Sequence, residues 1–474
     1  MILMQLTHAF RISPTPAAPE IVAFAGAGGK SAALFRLAGE IVAAGQRVVT
    51  TTTTRIAAEQ IAKAPAHLLV TGGQIDWTAL ARALDSHGHC LLLADDQSPK
   101  ATGIDPRLVD ELARRAEQLN LAAILVEADG SARRPVKAPA AHEPVIPDAA
   151  TLLVPVLGLD AIGLPLAEPH VHRPELLRGL LGVTDSATRF TPEMATRLLL
   201  HPQGGQKGRP AGIRVLPLLN KADSPTRLLV GRLIAHRLAV SGQPSLLSSV
   251  GAQGGAPGTA SVLERWGPTA AVVLAAGGAS RMGGPKQLLE MDGEALVVRA
   301  ARLALASGAS EALVITGAYG ERVEAALTAL QAEAGARLRL IHNPAWASGQ
   351  ASSIHAAVGG LASDCQAALF FPVDQPNLPV ALLCRLWQPW REGRDRVATA
   401  VDREVRGAPA IFDRRYFAEM LALRGDQGAR PLLRTDASEV ATLATDALAL
   451  ADVDTPADWE TLVHIREGRL MGRR

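Results

Sequence analysis

An α/β fold in two domains is what this sequence predicts, and three observations carry the expectation. Apolar runs of strand length alternate with amphipathic helical patterns along the chain, the signature of helices laid on a largely parallel sheet. One such run in each half leads straight into a cluster of glycines. The 474 residues also exceed one ordinary core, at about 100–200 residues per domain. Composition agrees: 48% hydrophobic, 20% charged and only 3% aromatic residues exclude a disordered or fibrous chain and leave Ala, Leu and Val to fill the cores.

The 48 Lys and Arg offset 46 Asp and Glu to a net charge of +2. The charges are interspersed, so no basic stripe points to a nucleic acid partner. Cys90, Cys365 and Cys384 lie far apart with no CxxC, which suits a reducing compartment. The first twenty residues hold Arg11, Pro14, Pro16 and Pro19 but no apolar run of signal or membrane-span length. The expectation is a cytoplasmic protein with no membrane partner.

In the N-terminal half the expected strands are Ile21–Ala25, Arg47–Thr52, Leu91–Ala94, Ala122–Val126, Leu152–Val156 and Ile213–Leu219. A helix is expected from Ser31 to Ala44, where Leu34, Leu37, Ala38, Ile41 and Val42 recur at helical spacing before Gly45 ends it. Residues 251–268, GAQGGAPGTASVLERWGP, have the Gly/Pro/Ala/Ser content of a linker, giving domains at 1–250 and 269–474. The second half then supplies Ala271–Ala275, Leu313–Thr316, Leu338–His342, Ala368–Val373 and Val397–Val401.

The strongest local signal is LAAGGASRMGGPKQLL, residues 274–289. After the buried strand, Gly277 and Gly278 let backbone approach a ligand, and successive N–H groups beside Leu274, Ala275 and Ala276 can form an anion nest. Arg281 and Lys286 follow where they can neutralise a triphosphate, with Pro285 stiffening the loop. Further on, PVDQP places Asp374 at a strand's C-terminal end, where α/β sheets put ligands. The same half also contains NPAWASGQASSI, with Gly349, Ser352 and Ser353, and ADVDTPADW, with Asp452 and Asp454. DTPAD also reads as a helix start with Pro456 in its first turn, so Asp454 is either a ligand or a cap.

These pieces, in their order along the chain, resemble the MobA/MocA-type nucleotidyltransferases from Ala270 to about Val463. The resemblance implies a Rossmann-like domain in which Asp374 and Asp454, with Asp452 as a substitute for the latter, bind Mg2+, Arg281 and Lys286 stabilise departing pyrophosphate, and Gly349, Ser352 and Ser353 hold nucleotide and acceptor. Within that family LAAG goes with cytidylyl and LAGG with guanylyl transfer. Leu274–Gly277 therefore implies CTP as donor and the molybdenum cofactor as acceptor. Two other readings stay open: a carrier or maturation chaperone that binds the cofactor without turnover, and a sugar-phosphate nucleotidyltransferase.

In the first half, AGAGGKS sets Gly26, Gly28 and Gly29 before Lys30 and Ser31 at a helix N-terminus, suited to phosphate. It departs from the P-loop pattern, having Phe24 where the first glycine belongs. VEADG ends a strand with Glu127 and Asp129, a Walker-B-like pair. NKAD, with Asn220, Lys221 and Asp223, matches the NKxD element that recognises guanine, the alternative being a turn after a strand with Lys221 solvated. The half is thus expected to be a P-loop-NTPase-like α/β domain binding GTP or ATP. His142, His170 and His172 stand beside prolines and read as surface or capping groups.

AGAGGKS, TTTTR (Thr51–Arg55), EADG, the RRPVKAPAAHEPVIP segment with Lys137, and VHRPE together resemble the YqeC family over about Ile21–Val250. That resemblance implies an accessory role toward a molybdenum hydroxylase apoprotein.

Overall fold

The computed structural model describes residues 4–12, 15–96, 100–251, 262–401, 404–434 and 440–471. The chain divides into two compact units, Met1–Gly267 and Pro268–Arg474.

In the first unit a sheet runs through β1 (Glu20–Gly26), β2 (Arg47–Thr52), β3 (His67–Leu69), β4 (His89–Leu93), β5 (Leu121–Glu127), β6 (Leu152–Gly158), β7 (Leu218–Asn220), β8 (Ser245–Ser248) and β9 (Val262–Trp266). Their spatial order is β9-β8-β7-β6-β1-β5-β2-β4-β3, and Arg214–Val215 pairs β6 off this path. Every pairing is parallel except β8 with β9. β1, β5 and β6 are apolar throughout their interiors because helices cover both faces. Val22 and Phe24 pack on Leu34, Leu37 and Ile41 of the Lys30–Ala43 helix. Ile21 and Ala23 face Leu80 and Leu84 of Trp77–His87 on the other side.

The run expected as one strand at Ile213–Leu219 is two short strands, split around Leu216 and Pro217. Proline has no N–H to give a ladder. The stretch expected as linker ends in β9, so residues 262–266 belong to the first unit's sheet; residues 252–261 lie outside the described residues. The physical reason is pairing: Glu264, buried in β9, accepts from Arg232 and from the Trp266 indole.

The second unit has β10 (Thr269–Leu274), β11 (Glu311–Thr316), β12 (Leu338–His342), β13 (Ala367–Pro372), β14 (Arg396–Val401), β15 (Glu404–Asp413) and β16 (Ala441–Ala444), in the order β12-β11-β10-β13-β15-β14-β16. Central β10 is parallel to β11 and β13, while β15 runs antiparallel to β13 and β14. Alternate β10 residues serve opposite cores: Ala271 and Val273 meet the helices Leu296–Ala306 and Val380–Arg391, whereas Ala270 and Val272 meet Gln350–Gly360. The C-terminal ends of β10 and β13 thus open on one side of the sheet, with the glycine loop and Asp374 just beyond them.

Candidate active site

In the second unit the loop after β10 is pinned from beneath. Gln287, wholly buried, donates through Nε2 to the carbonyls of Ala275 at 2.9 Å and Gly277 at 2.8 Å. Tyr319 Oη donates to the Gly278 carbonyl at 3.2 Å. A Cβ on Gly278 would lie 3.0 Å from the Trp346 ring, whose own surface is more than a third exposed. Arg281 follows in a single turn, Ser280–Met282, set off by left-handed Ala279 and Gly283.

Lys286, Asp374 and Asp454 converge although they lie far apart in the chain. The Lys286 ammonium donates to Asp374 Oδ2, to Asp454 Oδ1 at 3.0 Å and to the Val453 carbonyl at 3.3 Å. Arg281 reaches Asp454 Oδ2 at 2.9 Å. Burial works against the charge of Lys286, but the two carboxylates outweigh it and its pKa rises. Burial likewise opposes the charge of Asp454, and Lys286 and Arg281 overcome it, so that carboxyl stays ionised to lower pH. Asp452 is different: burial first, then the neighbouring Asp374 charge, push it up, and Gln375 Nε2 donates to it at 3.0 Å.

The helix that begins at Pro456 is capped by Thr455, not by Asp454. Asp458 Oδ2 accepts from Thr455 N at 2.8 Å and Thr455 Oγ1 receives Asp458 N at 3.3 Å, a reciprocal box. This leaves the Asp454 carboxylate for the site. Asp374 Oδ1 is buried without a hydrogen-bond partner among the described residues. Two carboxylates, one with an orphaned oxygen, plus substrate phosphates make a donor set suited to Mg2+.

Gly349 (φ 110°) packs on the Gly425 backbone, where a Cβ would sit 2.4 Å from its carbonyl. Asn343 Nδ2 donates to Ser352 Oγ at 2.9 Å and Ser353 Oγ at 3.1 Å, and Ser352 in turn donates to the Gly349 carbonyl. Both serines therefore fasten the loop to its helix. Gln287, Tyr319, Trp346 and Asn343 were not singled out by sequence reasoning; the first directly follows Lys286, and Asn343 and Trp346 lie within the quoted NPAW.

In the first unit Gly28 lies so close to β6 that a Cβ would fall 2.2 Å from Gly158 N, and one on Gly29 would fall 2.2 Å from Asn220 Nδ2. Phe24, in the place of a P-loop's first glycine, is a core residue whose ring lies 6.2 Å from that of Phe10, tilted by 48°. Gly26 N donates to the Asp129 carboxylate at 3.0 Å. Lys30 Nζ donates to the Gly26 carbonyl at 2.7 Å and pairs with Asp129 at 3.2 Å and Glu127 at 3.7 Å. Its pKa rises because those carboxylates outweigh burial. Ser31 Oγ donates to Glu127 Oε2 at 2.5 Å. Behind them Lys137 joins Asp129 at 2.9 Å and Glu143 at 2.6 Å, and Arg173 holds Glu143, whose carboxyl, despite burial, is brought down to about 2 by Arg173 and Lys137.

NKAD takes a different part from the one its pattern suggests. Asn220 is wholly buried, donating to the carbonyls of Gly28 at 2.9 Å and Val250 at 3.1 Å and accepting from Ser248. Lys221 pairs with Asp160 and Asp223 with Arg227, each at 2.6 Å. Asn220 therefore braces the glycine loop, and its amide is already committed within the protein.

Residues 271–443 match the family model described as MobA-like NTP transferase domain, and residues 22–175 match the model described as YqeC protein. Among solved structures, Rv0371c from Mycobacterium tuberculosis H37Rv is 26% identical, covering 42% of this chain and 98% of that one with a TM-score of 0.37. A nucleotidyl transferase from Methanothermobacter thermautotroptrophicus is 23% identical over 43% of this chain and 99% of its own, TM-score 0.36. The MobA-like domain, with its pinned glycine loop, makes this protein a nucleotidyltransferase. The uncharacterized protein YqeC of Escherichia coli (strain K12) is 32% identical over 203 residues, 43% of this chain and 76% of that protein. Through its first unit the chain belongs to the YqeC family. Among the described residues no helix is long and apolar enough to cross a membrane.

Proposed function

We propose that the C-terminal domain transfers CMP from CTP to the terminal phosphate of the molybdenum cofactor and releases pyrophosphate. The observation that carries this reading is the convergence of Lys286, Asp374, Asp454 and Arg281 beside the LAAGG loop. An acceptor phosphate oxygen attacks the α-phosphorus, the α–β bridging P–O bond breaks, and pyrophosphate leaves. The acceptor is already ionised, so no general base is required.

Two anions approach only if their charge is offset, and Lys286 and Arg281 supply fixed positive charge for the leaving pyrophosphate. Mg2+ held by Asp374 and Asp454 would supply further charge neutralisation on the phosphates. Exposed Trp346 offers an aromatic face beside Gly278 for a base or pterin ring. The choice of CTP rests on Ala276 in LAAG. In the N-terminal domain, Gly28, Gly29, Lys30 and Ser31 bind the phosphates of GTP or ATP, and Ser31 with Glu127 beside it would hold a Mg2+ that offsets phosphate charge. The product is consumed by a molybdenum hydroxylase apoprotein.

The test is pyrophosphate release by the purified protein with Mg2+ and molybdenum cofactor, offering CTP, GTP, ATP and UTP separately. Release with CTP alone, lost in Asp374→Ala with the fold retained, is expected. Release with GTP alone overturns the donor assignment, and turnover of a sugar 1-phosphate without activity on the cofactor overturns the acceptor.

A further inference from the structure

The motifs of the first unit that the glycine loop leaves unexplained meet at one cavity. It has a volume of about 1040 Å³ and is lined by Gly28–Ser31 on one side and by Arg55, Lys63 and Lys100 on another. That is the upper end of the range for small-molecule sites, roughly 300–1,000 Å³. Arg55 closes the TTTTR run and lies on a two-stranded ribbon, Arg55–Ala57 antiparallel to Lys100–Thr102, just beyond the end of β2.

The sheet fixes how far this wall stands from the glycine loop. β5 lies between β1 and β2, with Glu127 in register with Phe24 on one side and Thr52 on the other. Two strand spacings of about 4.8 Å put the chain exits about 10 Å apart.

The charge of the wall is also uncommitted. Lys137 and Arg173 are neutralised by Asp129 and Glu143, and Arg133 by Glu59. Among the described residues, Arg55, Lys63 and Lys100 have no carboxylate partner, and Lys63 lies 5.8 Å from the Phe35 ring centroid. All three are exposed toward the cavity. Ala132, Arg133, Arg173 and Lys221, at φ 48°, 60°, 64° and 66°, hold left-handed backbone around the same cavity, a strain that persists where the surrounding structure enforces a site.

We propose that Arg55, Lys63 and Lys100 bind the phosphate group of a second small molecule, seated beside the glycine loop at the same time as its nucleotide. A phosphate monoester carries about −1.5 to −2 charge at pH 7 and matches three unpaired cations, and Arg55 adds the planar fork that suits phosphate. A cavity of this volume suits a small molecule. That this phosphate site is a second one rests on the nucleotide reading of the glycine loop.

The experiment is equilibrium dialysis of labelled inorganic phosphate against the full-length protein, with and without Mg2+ and a non-hydrolysable ATP analogue. Phosphate should bind in both conditions. The double variant Arg55→Ser/Lys100→Ser should weaken it tenfold or more while changing analogue affinity less than twofold, which also reports an intact fold. Lys30→Ala should do the reverse. Competition between analogue and phosphate at this wall, or phosphate binding indifferent to the double variant, overturns the proposal by giving the wall to the nucleotide's own phosphates or to nothing. Failure of the nucleotide reading shows separately, as analogue binding indifferent to Lys30→Ala while phosphate still responds to Arg55 and Lys100.

Discussion

Lys286 donates to two carboxylates and a carbonyl, and among the described residues no other connects the second unit's glycine loop to both Asp374 and Asp454. Replacing it with Met should lower kcat by about 10²–10³, the usual cost of losing one fixed donor to developing charge, measured as steady-state pyrophosphate release. Arg281→Ala should cost less, because Arg281 is largely exposed and screened. The residues that converge beside the second unit's glycine loop were visible in the sequence because their motifs combine glycine, a cation and a carboxylate at strand ends. The residues that hold them were not. Gln287 looks like a solvated amide in a string of letters, yet it is fully buried and pins two carbonyls. Asn220 was visible as part of NKAD but its task is set by Gly28 and Val250, which are distant in sequence.

At the scale of elements, the helix Gln350–Gly360 starts where Gly349 touches Gly425. Gly349→Ala would put a Cβ against backbone at a φ that costs an L-residue about 1–3 kcal/mol. Its melting temperature should fall by several degrees in the second unit, at about 2–4 °C per kcal/mol, and calorimetry checks this. Strands with apolar interiors were legible to within one or two residues: Arg47–Thr52 and Leu338–His342 match their expected bounds. β9 was hidden because two of its five residues, Glu264 and Arg265, are charged and buried. Such burial is tolerated only with partners, here Arg232 and Trp266 for Glu264, which no local pattern announces. β8 and β16 are four residues each, too short for periodicity to register.

At the scale of the whole molecule, each unit has its own cores, so each has its own response to conditions. In the first unit His89 lies buried against Thr50 Oγ1 at 2.9 Å, and burial holds its pKa down to about 4. Below about 6.5 the unfolded chain takes up a proton that the folded one refuses, so stability falls as pH drops from 6.5 toward 4, by roughly 3 kcal/mol. Urea titrations followed by amide protection in β2 should show this slope, and His89→Asn should flatten it. The first unit also begins and ends together: Met4 bridges Val262, and β9 forms the sheet's edge on β8. A fragment ending at residue 250 would therefore bare the long side of β8 and remove Glu264, which pairs with Arg232, and should aggregate on size-exclusion chromatography; one ending at Gly267 should elute as a single soluble species. A module whose entrance and exit share one edge can be cut out or grafted without threading the chain through its core. The last strand before the junction is thus the closure of the first module, and moving the cut by seventeen residues separates a portable domain from a sticky one.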